Sequence, residues 1–205
     1  QVFLSLIGSI ICYYYLSKTI STCMNIQSAF PIPLGFDNIT GNWSDIASLE
    51  SFDNDYFGQT TGNLHTTQRW LPLAQQLETI ANTYGKNIGC VTTLKISNMW
   101  LNRMSGFNTI HPHYHSNSLF SCVVYIKGES GTRFYNPTPP QLQAAEYDDK
   151  GFFYDDYTVG PEPNGVVMFP SNLRHTSLPC AEERFTISAN FNATEYGSLH
   201  TLNQM

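Results

Sequence analysis

Three of the six histidines in this 205-residue chain fall in one pentapeptide, His111-Pro-His-Tyr-His115. In an extended backbone, residues i and i+2 point to the same face. His113 and His115 are therefore able to hold one metal ion from neighbouring positions, and His111 lies on that same face. Of the other histidines, His65, His175 and His200, only His175 has a comparably built setting. It follows an apolar run and a turn, Gly165-Val-Val-Met-Phe-Pro-Ser-Asn-Leu-Arg-His175. Neutral imidazoles suit iron, zinc, copper and nickel. Nine residues beyond His175, Arg184-Phe-Thr186 places a guanidinium and a hydroxyl on one face of a strand. That pair suits the two oxygens of a carboxylate, which arginine grips bidentately and lysine cannot. A carboxylate ligand for the metal has one obvious source, the segment 136–164. It carries Glu146, Asp148, Asp149, Asp155, Asp156 and Glu162 against the single base Lys150. With five prolines and no periodicity, this segment reads as a long irregular loop, either a solvated acidic loop or a lid over the metal site.

The elements that position these residues are mostly strands. From residue 89 the hydrophobic period is two. Cys90–Leu101 reads as one long strand or a bent pair, followed by the histidine stretch and a strand over Leu119–Ile126. Lys127-Gly-Glu-Ser-Gly-Thr132 reads as a glycine-bearing hairpin connection returning through Arg133-Phe-Tyr135. Val166–Phe169 and Phe185–Phe191 are two further strands. One helix is expected over about 66–84. Trp70, Leu73, Leu77, Ile80 and Tyr84 form its apolar stripe, Thr66 or Thr67 caps its start, and Gly85 marks its end. The stripe is read as core packing. Phe30-Pro-Ile-Pro-Leu34 is a stiff extended lead-in suited to a sheet edge. Residues 36–63 read as loop, anchored by Trp43 and by Tyr56-Phe57. Many short strands with one helix at the side predict a mainly β domain, a sandwich or jelly roll.

Charged residues make up only 13% of the chain, about half the usual ~25%, which favours β structure over charge-rich helices. The net charge of −6 gives a nucleic-acid partner no electrostatic support. Five cysteines without a CxxC pair suggest neither a disulfide scaffold nor a zinc ribbon, and Cys90 and Cys122 read as buried thiols. A reducing, cytoplasmic setting is the default. The stretch Val2–Leu16 is nearly all apolar, which sets residues 1–25 apart from a single domain over 26–205. The stretch is shorter than the ~20 residues of a membrane-spanning helix. It reads as a packed extension, or as a signal or anchor, and only as an anchor would it imply a membrane partner. The sequons at Asn38, Asn42 and Asn192 carry meaning only in a secreted chain.

Taken in order, these motifs resemble the 2-oxoglutarate/Fe(II)-dependent oxygenases that are widespread in phages and marine bacteria. The resembling residues are Phe30-Pro-Ile-Pro, Trp100 with Asn102, and His113-Tyr-His115 running into Ser121-Cys-Val-Val-Tyr125. Gly131-Thr, Phe134-Tyr-Asn-Pro137, Gly165-Val-Val-Met-Phe-Pro-Ser171, His175 and Arg184-Phe-Thr-Ile-Ser-Ala-Asn-Phe-Asn192 complete the pattern. The likeness covers roughly residues 29–193. It implies a double-stranded β-helix, a cupin-like jelly roll with Fe(II) in its mouth. It implies His113 and His175 as iron ligands, Arg184 as the clamp on 2-oxoglutarate and Thr186 as its assistant. Tyr125, Tyr135 and Asn102 are further hydrogen-bonding candidates for that cosubstrate. The third ligand is His115 or a carboxylate from 136–164, because better-known oxygenases of this superfamily have HxD or HxE where this chain has His113-Tyr-His115. The activity implied is dioxygen-dependent hydroxylation of a small molecule or a protein side chain, releasing succinate and CO2. Two other readings compete with it: a three-histidine dioxygenase that does not use 2-oxoglutarate, and a non-catalytic jelly-roll binding module, for example in a virion. Cys122 stands where the family often has glycine and is read as packing.

Overall fold

The computed structural model describes residues 31–138 and 155–194, apart from 53, 55, 56 and 61. His200, Glu146, Asp148, Asp149 and the apolar stretch 2–16 lie outside the described residues.

Among the described residues, nine strands form two antiparallel sheets. β1 (Gly35–Asn38), β2 (Phe57–Gln59), β3 (Leu94–Met104), β4 (Phe120–Lys127), β7 (Gly165–Pro170) and β9 (Arg184–Ala193) make a six-stranded sheet in the order β1-β7-β4-β9-β3-β2. β5 (Thr132–Tyr135), β6 (Asp156–Val159) and β8 (His175–Ser177) make a smaller one in the order β6-β5-β8. This is the expected mainly β jelly roll, a double-stranded β-helix.

The central strands β4, β7 and β9 of the large sheet are buried on both faces, and the alternation along them sorts the side chains. Phe185, Ile187, Ala189 and Phe191 of β9 join Cys122 and Val124 of β4 in the larger core. There they meet α2 (Leu71–Asn87) through Leu73, Leu77, Ala81 and Tyr84. The residues between them point into the roll. Val123, Tyr125, Val167 and Phe169 pack with Phe134 and Leu173 in a second cluster. Cys122 is fully buried in the larger core, and burial pushes its thiol up to about 12.

Several elements differ from expectation. The helix starts at Leu71, five residues late, because Pro72 occupies its first turn, where a missing N–H costs nothing. Thr66 and Thr67 do not cap it; their hydroxyls donate back to the Asn63 and Leu64 carbonyls. Gly85 lies inside the helix, where a Cβ would come 3.0 Å from Leu94 Cδ1, and the chain turns at Gly89 with φ +88°. The long strand begins at Leu94 and has a bulge between Ile96 and Asn98. One extra residue shifts the side-chain phase, so Leu94 and Ile96 share the helix-facing core with Met99 and Leu101. Finally, 127–132 is not a hairpin. β4 pairs with β7 and β9, whereas β5 pairs with β6 and β8, so the segment crosses between the sheets.

The glycines of that crossing serve close approach. A Cβ on Gly131 would sit 2.0 Å from the Val159 carbonyl oxygen. Gly131→Ala must push β6 away from β5. It is expected to cost about 3 kcal/mol, the upper range for overpacking, read as a lowered urea midpoint.

Residues 36–63 also hold more structure than a loop: β1, the short helix α1 (Trp43–Ala47), a 3-10 turn at Leu64–Thr66 just beyond, and β2. Trp43 anchors this region by stacking on Trp70 at 5.8 Å. Phe52 stacks on Phe185 at 6.1 Å; Tyr56, expected in such a role, lies outside the described residues. Likewise 155–164 is not wholly irregular, since β6 lies within it. No helix among the described residues is long and apolar enough to cross a membrane.

Candidate metal and cosubstrate site

His113, His115 and His175 meet in the mouth of the roll. One ring nitrogen from each lies within 4.8 Å of the others. His175 opens β8 and pairs with Phe134 of β5. His113 pairs with His175 through two backbone hydrogen bonds of 2.9 Å each. The 111–115 stretch is thus a one-rung extension of the smaller sheet rather than a full strand. His115 follows on the same face, its N–H donating to the Ser171 carbonyl at 2.9 Å. His111 does not join the group: its side chain is exposed, and its carbonyl instead accepts from His113 Nδ1 at 2.8 Å.

Hydrogen bonding fixes the tautomers. His113 Nδ1 faces the His111 carbonyl and His175 Nδ1 faces the Leu173 carbonyl, each at 2.8 Å. His115 Nδ1 faces Asn190 Oδ1 at 2.5 Å. Carbonyl and amide oxygens only accept. Each Nδ1 therefore carries the proton and each Nε2 keeps its lone pair. The Nε2 atoms of His113 and His115 are 3.3 Å apart. Two lone pairs that close repel unless a cation lies between them. Bonds of about 2.1 Å at right angles put ligand nitrogens roughly 3 Å apart, so the donor set fits a divalent first-row metal such as Fe(II).

Burial favours the neutral form of His175 and His115. His175 is 3% exposed. Its desolvation, partly offset by the Leu173 hydrogen bond and reinforced by His113 and His115, lowers its pKa to about 3. Desolvation likewise lowers His115, against the Asn190 hydrogen bond. In the unfolded chain both histidines protonate near pH ~6.5. Below that, and for His175 down to about 3, the unfolded state binds protons that the folded state does not. Metal-free stability is therefore expected to fall as pH falls through that window, and to be flat above it. The slope is up to about 1.4 kcal/mol per pH unit per histidine. Urea unfolding between about pH 5 and 7, above the carboxylate range, reads it.

Arg184 and Thr186 lie two apart on β9 and line one pocket together with His113, His175, Asn102 and Ser177. Arg184 is 2% exposed. Its Nη1 lies 3.7 Å from Met104 Sδ and its Nη2 3.5 Å from the Gly131 carbonyl, and its Nε has no hydrogen-bond partner. Among the described residues no carboxylate pairs with it. A buried guanidinium without a counter-ion is costly, and an anionic ligand entering the pocket would relieve it. Tyr125 backs this arginine: its ring lies 5.9 Å from the guanidinium carbon, and its hydroxyl donates to Thr132 Oγ1 at 2.8 Å. Asn102 is engaged with its neighbours, accepting from Gln59 Nε2 and Trp100 Nε1 and donating to Ser188 Oγ. Tyr135 is outside this pocket and lies under Arg174. The described acids of 136–164, Asp155, Asp156 and Glu162, do not reach the histidines.

Sequence reasoning missed the residues behind His115, namely Ser121, Ser171 and Asn190. Their signal was a polar side chain at an inward position of an otherwise apolar strand.

No curated protein matches the chain. Solved structures do match in fold. A 2OG-Fe(II) oxygenase family oxidoreductase from Burkholderia pseudomallei aligns at TM-score 0.54 and 14% identity, over 73% of this chain and 75% of that one. The non-heme alpha-ketoglutarate-dependent epimerase SnoN from nogalamycin biosynthesis aligns at 0.56 and 10%, over 74% and 70%. The viral collagen prolyl hydroxylase of Paramecium Bursaria Chlorella virus-1, solved with 2OG, aligns at 0.50 and 13%, over 78% and 96%. Residues 98–192, which carry all three clustered histidines and Arg184, match the family model described as "Putative 2OG-Fe(II) oxygenase". The segment that carries the clustered histidines and Arg184 is accordingly similar to the 2OG-Fe(II) oxygenases, oxidoreductases that use Fe(II) and 2-oxoglutarate.

Proposed function

We propose that His113, His115 and His175 hold the Fe(II), and that Arg184 and Thr186 receive the far carboxylate of 2-oxoglutarate. On this reading the chain hydroxylates a C–H bond of a small molecule or a protein side chain. Residues 26–205 act as one oxygenase domain. The observation that carries the reading is Arg184, a buried cation with no carboxylate partner among the described residues, lining the same pocket as His113 and His175. A dianionic 2-oxo acid is a ligand that can use both ends of such a pocket.

Iron, when bound, supplies the activation of dioxygen that is coupled to oxidation of 2-oxoglutarate to succinate and CO2. The protein supplies position and environment. The three Nδ1–H bonds hold each Nε2 toward a common point. Arg184 neutralises and orients the distal carboxylate, and the Thr186 hydroxyl donates to its second oxygen. Tyr125 acts through Arg184 and Thr132, holding the guanidinium over its ring. Val123, Val167, Phe169 and Phe134 keep the interior dry, which strengthens every charge–charge contact made there.

The test is succinate formation by anaerobically purified, Fe(II)-loaded protein given 2-oxoglutarate and then air, beside the His175→Ala variant. Succinate from the parent and none from the variant is the expected result. Dioxygen consumption without 2-oxoglutarate would instead place the chain with the three-histidine dioxygenases. Neither activity nor bound iron in folded protein would leave only a binding module.

A further inference from the structure

The three histidines are not held alike. His113 and His175 each donate Nδ1–H to the carbonyl two residues earlier in their own chain. His115 depends on side chains from elsewhere. Its Nδ1 faces Asn190 Oδ1 on β9, with Ser121 Oγ on β4 at 3.0 Å. Ser121 Oγ–H donates to the same Asn190 oxygen at 2.7 Å, and Ser171 Oγ lies 2.7 Å from Ser121 Oγ. All three partners are almost fully buried: Ser121 0%, Ser171 0% and Asn190 6% exposed. A hydroxyl can donate or accept and would serve either histidine tautomer. An amide oxygen accepts only. With both lone pairs taken, by His115 and by Ser121, Asn190 Oδ1 admits a single arrangement.

We propose that Asn190 is the positioning residue of the third ligand. It fixes His115 in the tautomer and rotation that present Nε2 beside His113 Nε2, while Ser121 and Ser171 hold the Asn190 amide in place. This rests on the reading of His115 as a metal ligand. The arrangement stands in for the outer carboxylate or carbonyl that commonly orients a metal-bound histidine. A neutral amide does so without adding negative charge to a site already free of carboxylates among the described residues.

Co(II) affinity and visible absorption, measured on folded Asn190→Leu, Asn190→Asp and His115→Ala, test it. Leucine keeps the volume and removes the acceptor; aspartate keeps the acceptor. Asn190→Leu is expected to lose about 10- to 100-fold in affinity with an altered ligand-field spectrum, and Asn190→Asp to stay close to the parent. His115→Ala is expected to lose at least as much as the leucine variant. Parent-like affinity and spectrum in Asn190→Leu, with His115→Ala impaired, would overturn the positioning role and leave His115 as a ligand. Parent-like binding by His115→Ala would overturn the ligand assignment, and the positioning role with it. Ring nitrogen shifts in the metal-free parent require no variant. They are expected to show His115 protonated on Nδ1, and protonation on Nε2 would refute the inference.

Discussion

Arg184→Met is expected to weaken 2-oxoglutarate binding at least about 30-fold, yet to leave the ligand-free protein as stable as the parent or more so. The two halves of this expected result have one cause. In the free protein the guanidinium is 2% exposed, with only a thioether and a distant carbonyl near its Nη atoms. Desolvation pulls its pKa down, the sign of a charge held in an unfavourable medium until a partner arrives. Truncating one member of a buried charge pair costs about 2–5 kcal/mol of binding, or roughly 30-fold to several thousand-fold in affinity. Replacing an unmatched buried ion by an apolar side chain of similar length is neutral or stabilising by about 1–4 kcal/mol, and Met104 offers the new thioether an apolar neighbour. Calorimetric titration of metal-loaded protein with 2-oxoglutarate reads the first half. Thermal unfolding with and without cosubstrate reads the second, because ligand that binds only the folded state raises the midpoint of the parent and leaves that of the variant in place. A variant that still bound 2-oxoglutarate like the parent would show that the clamp lies elsewhere.

Much of this site was legible because its chemistry follows strand periodicity. In Arg184-Phe-Thr-Ile-Ser-Ala-Asn190 every second residue is polar. The structure turns Arg184, Thr186, Ser188 and Asn190 into the roll, with Phe185, Ile187 and Ala189 toward the helix. The same rule paired His113 with His115. It failed for His111, because one rung of pairing with His175 does not make a strand. Failures elsewhere share a cause: the deciding partner is distant in sequence. The glycines of 127–132 look like a hairpin, but Gly131 is small because the Val159 carbonyl passes against it. Whether the next strand folds back or crosses to the other sheet depends on the packing of both sheets. The bulge at Ile96/Asn98 is likewise set by the register against β9. Asn190 stands within the Arg184–Asn192 motif, but its meaning lies in a contact with His115, 75 residues away.

The site also carries an unusual charge. Three imidazoles and one guanidinium converge with no carboxylate among the described residues, a setting that favours an anionic ligand. Of the three proposed ligands, His175 is the one on which this arrangement depends most. It is the most buried of the three and bridges His113 on one side to Phe134 on the other. Its ring is packed 4.7 Å from Phe169 and 4.4 Å from His113. His175→Ala keeps the backbone pairing, which uses only main-chain atoms, and removes the buried Nε2. Loss of an outer hydrogen-bond partner alone costs about 10- to 100-fold in metal affinity, so loss of the ligand itself is expected to exceed about a hundredfold and to take succinate formation with it. The variant also sheds the acid sensitivity that its parent owes to a histidine with a pKa near 3. Its stability between about pH 5 and 7 is then expected to vary less steeply than that of the parent, by up to about 1.4 kcal/mol per pH unit. Equilibrium Fe(II) or Co(II) binding and urea unfolding on the same preparations separate the two effects. Unchanged metal affinity would remove His175 from the ligand set, whereas an unchanged pH slope would remove only the explanation of its burial.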